Sequence, residues 1–120
     1  MRNLLVTNRS SVSAIVTRQH FANSGGTLHG SHWGDHHPTD LGRLPAEYVK
    51  LFNADTYPGR YVVYSFTTPI AWFDTFNDHW EVPPINYSIT TRKHVALVMA
   101  AIKHETELQR RLGYPVSTVN

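Results

Sequence analysis

Cysteine is absent from the 120 residues. That excludes disulfide staples, thiolate zinc sites and cysteine nucleophiles, and it suits a reducing compartment. Long apolar runs are absent too. Leu4-Leu5-Val6 gives way at once to Thr7-Asn8-Arg9-Ser10, whereas a secretory core needs about 7–15 apolar residues. No segment approaches the roughly 18–20 residues that span a bilayer. The expectation is a soluble protein with an uncleaved start and no membrane partner. The glycines at Gly25, Gly26, Gly30 and Gly34 are not followed by the lysine and hydroxyl of a phosphate-binding loop. No dinucleotide, calcium-loop or HExxH spacing occurs either. Strong charge of one sign is also lacking. The net charge is +2, which permits contact with a polyanion without demanding it.

What is present fits one globular domain over 1–120. Hydrophobic residues make up 41% of the chain, enough for a single core in a domain of this size. Leu4–Val6 reads as a short strand. Val12–Thr17 is rich in β-branched residues and reads as a second. Asn23-Ser24-Gly25-Gly26 is a turn signal, with a return strand over 26–29 completing a hairpin. Residues 30–42 read as a long loop. Pro45 opens a helix over 45–54, with Leu44, Tyr48, Leu51 and Phe52 at helical spacing.

Tyr61–Phe66 is the best strand pattern. Extended structure over 70–73, a turn over 74–78 and a strand over 79–82 follow, with Pro69 expected at a bend or edge. The firmest element is a helix over 91–112. Val95, Val98, Met99 and Ile102 share one face, Thr90 or Thr91 is its cap, and Gly113 and Pro115 stop it. The tail from Val116 to Asn120 is expected to fray. These elements predict an α+β fold: a small antiparallel sheet packed by a long C-terminal helix, plus a shorter middle helix. One sheet face would then be left bare, which favours a homodimer.

Tyr64-Ser65-Phe66-Thr67-Thr68-Pro69-Ile70-Ala71-Trp72 and Tyr87-Ser88-Ile89-Thr90-Thr91-Arg92-Lys93-His94, with Trp80 and Pro83 between them, carry a resemblance. So do Ser13–Phe21 and Leu44-Pro45. The chain resembles small uncharacterised proteins encoded by phages of actinobacteria and other bacteria. They share a tyrosine-serine-aromatic strand, a threonine-proline-isoleucine-alanine-tryptophan stretch and a threonine-threonine-x-x-histidine helix start. The resemblance implies a phage accessory protein acting in the host cytoplasm. It implies no activity.

Three groups of residues are candidates for function. Thr90, Thr91, Arg92, Lys93 and His94 bring hydroxyls and cations to a helix start, where backbone N–H groups can hold a phosphate oxygen. Alternatively, a threonine is a cap and the cations face water. His29, His32, Asp35, His36 and His37 are of the types that ligate zinc-like ions, yet their spacing fits no template. They are otherwise an exposed polar loop. Trp72, Phe76, Asp78 and Trp80 could anchor a protein partner, or the tryptophans could be core. No catalytic residues and no cofactor are expected. The leading expectation is a non-catalytic accessory protein that binds a host or phage protein. The alternatives are a nucleic-acid-binding protein contacting phosphates through the start of the C-terminal helix, and a metal-dependent hydrolase built on the histidine loop.

Overall fold

The computed structural model describes residues 4–32, 41–54 and 60–119. The fold is α+β. Among the described residues, seven strands form one sheet in chain order: β1 (Leu4–Val6), β2 (Phe21–Asn23), β3 (Leu28–His32), β4 (Tyr61–Ser65), β5 (Thr68–Asp74), β6 (His79–Glu81) and β7 (Thr118–Val119). The four inner pairings are antiparallel. The outermost two, β1 with β2 and β6 with β7, are parallel. Helices α1 (Ser11–Val16) and α3 (Ile89–Leu112) pack on one face, and α2 (Ala46–Ala54) packs on the other.

All five residues of β4 are buried, as expected of a strand covered on both faces. Tyr61 and Val63 join the larger core with Phe21, Ile15 and Val98. Val62 and Tyr64 face Leu44, Phe52 and Trp72 beneath α2. The sheet face expected to lie bare is therefore covered by α2, which removes the reason for expecting it to pair with a second copy.

Residues 12–17, read as a strand, form helix α1 instead. Hydroxyl bonds close the turn over Thr7–Ser11 that leads into α1. Thr7 N–H donates to Ser10 Oγ (2.9 Å), Ser10 N–H to Thr7 Oγ1 (3.1 Å), and Ser11 Oγ to Asn8 O (2.6 Å). Ala14 and Ile15 then fall on one buried side. The helix ends at Val16 with Thr17 as its cap, and Arg18, with φ 53°, lies two residues beyond. The hairpin exists, but it joins β2 to β3 through Gly26 (φ 69°).

Pro69 sits inside β5 at a β-bulge. Val63 pairs with Ala71 and Tyr64 with Pro69, so Ile70 is the extra residue. Strand β6 reaches only Trp72 to Asp74, so the missing donor at Pro69 breaks no ladder on that side. The C-terminal tail is not loose. Thr118 and Val119 pair with His79 and Trp80, and Ser117 N–H donates to Gln109 Oε1 (3.1 Å).

Arg18 ties α1 to α3. Its guanidinium donates to both carboxylate oxygens of Glu105 (2.6 and 2.8 Å) and lies over Phe73 and Trp80. Helix α3 starts at Ser88, whose Oγ accepts from Thr91 N–H (3.4 Å), rather than at Thr90 or Thr91. It ends as expected on a left-handed Gly113. Among the described residues, no helix is long and apolar enough to cross a membrane.

Candidate functional site

Two features come together on α3: a polar pocket at its start and a basic face along its length.

The pocket is built where the β4–β5 hairpin meets the first turn of α3. Ser65 closes β4 on the α3 side of the sheet, and Thr68 opens β5 opposite it in register. Phe66 between them has φ 56°, a left-handed conformation rarely taken by a bulky residue. It is held there by Phe66 N–H donating to Thr27 O (2.7 Å) and by the His29 ring against Phe66 O (3.0 Å). On a third side, Gly42 has φ 59° and lies so close that a Cβ would overlap Thr68 Oγ1. The next residue, Arg43, donates its N–H to Thr68 Oγ1 (2.9 Å). Glycine at position 42 thus lets the loop bring Arg43 to the pocket. The cavity is about 240 Å³, and among the described residues no carboxylate lines it.

Behind its wall runs a line of hydroxyls ending on a histidine. Ser88 Oγ donates to Thr91 Oγ1 (3.3 Å), Thr91 Oγ1 lies 2.9 Å from Ser65 Oγ, and Ser65 Oγ lies 2.7 Å from His94 Nδ1. Ser65, Thr91 and His94 are all buried. Burial pushes the His94 pKa down from its ordinary 6.5, so the ring is neutral at pH 7. A neutral ring has one nitrogen without a proton, so Nδ1 either accepts from the Ser65 hydroxyl or donates to it, according to the tautomer. In the pocket wall, burial first, and Tyr48 second, pushes the Tyr87 pKa up.

His94 binds protons less readily when folded. Stability is therefore retained above pH 6.5 and declines as pH falls from 6.5 to the lowered folded value. Wild-type melting temperature should drop across that window, and His94→Gln should flatten the drop. Thermal unfolding by circular dichroism at pH 7.5 and 5.5 checks this; an equal drop in both proteins contradicts it.

The basic face lies outside. Of the eleven Lys and Arg in the chain, α3 carries five (Arg92, Lys93, Lys103, Arg110 and Arg111) against two acids. One of those acids, Glu105, is turned inward to Arg18. All five cations are exposed, as are His104 and Glu107. Arg92, Lys103 and Arg110 are separated by eleven and seven residues. At 3.6 residues per turn these spacings return to within about 20° of the same direction. Lys93, His104 and Arg111 lie about 100–120° round the helix from Arg92, with Glu107 in between. The buried residues Thr91, His94, Val98, Ala101 and Ile102 occupy the opposite side. Beside this face, a groove of about 460 Å³ between α1 and α3 has His104 on one bank and Arg9 on the other. Among the described residues none of the five cations is in an ion pair.

The structure splits the expected phosphate-contact group. Thr90, Arg92 and Lys93 reach solvent, while Thr91 and His94 turn inward. The remaining candidates do not assemble. His29 stacks on Tyr64 (4.7 Å), which faces α2. His32 lies edge-on to Tyr61, in the core on the other face. The two histidines, three residues apart on β3, therefore sit on opposite sides of the sheet and cannot share one ion. Asp35, His36 and His37 lie outside the described residues, and among the described residues no group of three ligand-type side chains could hold a metal. Trp72 and Trp80 are each 1% exposed, because alternation on a sheet with two covered faces sends both inward. Of the expected protein-interface residues, Phe76, at 82% exposed, and Asp78 face solvent.

Sequence reasoning missed Arg43, Ser65 and Ser88, which meet only through tertiary structure. It also missed Lys103, Arg110 and Arg111, whose helical spacing was readable.

No curated protein and no solved structure matches the chain. One family model, described as a family of unknown function (DUF8033), matches residues 42–113. That span runs from the glycine at the pocket to the glycine that ends α3, and it contains the hydroxyl line and the five cations. The chain belongs to this family of unknown function, DUF8033.

Proposed function

We propose that this protein is a non-catalytic module that binds nucleic acid through the exposed face of α3. The observation that carries the reading is the placement of five exposed cations, none ion-paired among the described residues, on one side of a 24-residue helix, which extends about 36 Å at 1.5 Å per residue. Lys and Arg in such a row suit phosphates, which supply most sequence-independent affinity. An exposed aromatic lies near each end of the helix. Phe66 is beside His94, and Tyr114 follows Arg111 by three residues; both can stack unpaired bases. The resemblance to phage proteins supplies the setting of the proposal, an accessory protein in the host cytoplasm.

The test is fluorescence anisotropy with labelled duplex and single-stranded probes at ~50 and ~200 mM salt. Saturable binding at low salt that weakens by at least about tenfold at high salt supports the reading. No binding at low salt removes it.

A second reading, binding to a host or phage protein, is favoured by Phe76. Phe76 is 82% exposed and lies in the β5–β6 turn, two residues before the exposed Asp78. Absence of nucleic-acid binding would put this reading first.

A further inference from the structure

The groove between α1 and α3 borders the basic face, yet its floor is apolar. Val12 and Val16, one helical turn apart on α1, form that floor with Ala100 of α3. The two valines are half-buried against the larger core, and each keeps a side in the groove. Ser13 adds a hydroxyl. Arg9 and His104, on the two banks, are exposed, and neither has a hydrogen-bond or ion-pair partner among the described residues. Lys93 stands seven residues before Ala100, and Arg111 seven after His104. Seven residues along a helix return to within about 20° of the same direction, so the α3 bank is continuous with the basic face. Among the described residues no carboxylate lines the groove, and residues 4–32 contain no acid at all.

An apolar floor between cationic banks separates the classes of nucleic acid. A duplex keeps its base faces stacked inside and meets a protein with phosphates and base edges. It has little to set on Val12, Val16 and Ala100. A single strand exposes base faces, which cover apolar side chains and stack on arginine, while its phosphates reach the cations on either bank. The groove of about 460 Å³ lies within the roughly 300–1,000 Å³ of sites that take small organic ligands, so a base fits.

We infer that the groove seats bases of a single strand whose phosphates follow the basic face of α3. This rests on the nucleic-acid reading above. Val12, Val16 and Ala100 cover the base faces, Arg9 stacks on them from the far bank, and Ser13 meets a base edge.

The test compares three labelled probes at ~50 mM salt: an oligothymidylate of about 20 nucleotides, longer than the ~4–16 of common single-strand sites, an abasic strand of the same length, and a duplex. A peptide with leucine and glutamate at helical spacing is a fourth. The thymidylate should bind about tenfold more tightly than the abasic strand, towards the low end of what one stacked base contributes. Ser13→Leu combined with Ala100→Leu fills the groove without changing charge, and should cut that ratio below about twofold. Both positions are exposed, and leucine is a strong helix former, so circular dichroism should match wild type. In the wild-type complex, a strand carrying 4-thiothymidine should photocrosslink to residues within 9–16 or 100–104. Equal binding of the thymidylate and the abasic strand overturns this inference and leaves the nucleic-acid reading standing. So does a ratio that survives the filled groove, or crosslinks confined to other segments. Binding of no strand and no duplex overturns both, and a peptide that binds where no nucleic acid does assigns the groove to an acidic protein segment.

Discussion

Lys103→Glu combined with Arg110→Glu should weaken duplex binding about 100-fold or more at ~100 mM salt. Each reversal removes one phosphate contact and adds a repulsion, and a protein making several such contacts loses affinity steeply as they go. The two residues are exposed on the solvent side of α3, so the fold should scarcely notice. Surface changes of this kind usually stay within about 0.5 kcal/mol, and losing a cation from the last helical turn adds about 0.3–1 kcal/mol. Circular dichroism of the variant should therefore match wild type. The opposite change gives the opposite sign. Glu107 is the only exposed acid on α3, and Glu107→Lys should tighten binding several-fold. A loss below about threefold in the double reversal, with the fold intact, would show that α3 is merely a solvated face.

Trp72→Ala should cost about 3–5 kcal/mol, the range for deleting a large buried aromatic. Trp72 stands edge-on to Phe52 with ring centres 5.0 Å apart and is 1% exposed. Among the described residues the core under α2 is small: Leu44, Phe52, Val62 and Tyr64 are its other buried members, with Leu41, Tyr48, Val49 and Leu51 packed against them, so the loss of the indole is felt by most of the cluster. Because native domains are stable by about 5–15 kcal/mol, the variant should be close to unfolding, with α2 the first element released. Thermal or urea unfolding measures this. A cost below about 1 kcal/mol would mean that Trp72 is not a core residue but a dispensable surface anchor.

Much of the fold was legible because its strongest elements are local. The apolar spacing of Val95, Val98 and Ile102 and the Gly113 stop place α3 within two residues of where it lies. Tyr61–Phe66 gives β4 to within one. The failure at 12–17 has a physical cause. β-branched composition is a tertiary preference in disguise, and the turn into α1 is closed by hydroxyl bonds from Thr7 and Ser10 that a propensity reading does not weigh. The cap at Ser88 was missed in favour of Thr90 and Thr91, although Ser88 stands three residues before Thr91, the spacing at which a serine reaches the N3 amide.

The candidate site divides in the same way. The basic face obeys a periodicity that can be counted along the chain: Arg92, Lys103 and Arg110. The pocket does not. Gly42, Ser65, Thr68 and Thr91 come from four distant segments, and only the hairpin with its strained Phe66 brings them into one wall. For the same reason the clustering of histidines in sequence misled. Strand alternation sends His29 and His32 to opposite faces.

The measurement that tests the central claim most directly is the salt slope of duplex binding. The logarithm of the association constant should fall linearly with the logarithm of salt concentration. The slope should be about −3 to −5, one phosphate for each of three to five α3 cations. In the Lys103→Glu, Arg110→Glu protein the slope should shrink by about 2. A slope near zero, or one unchanged by the two reversals, would contradict binding through α3.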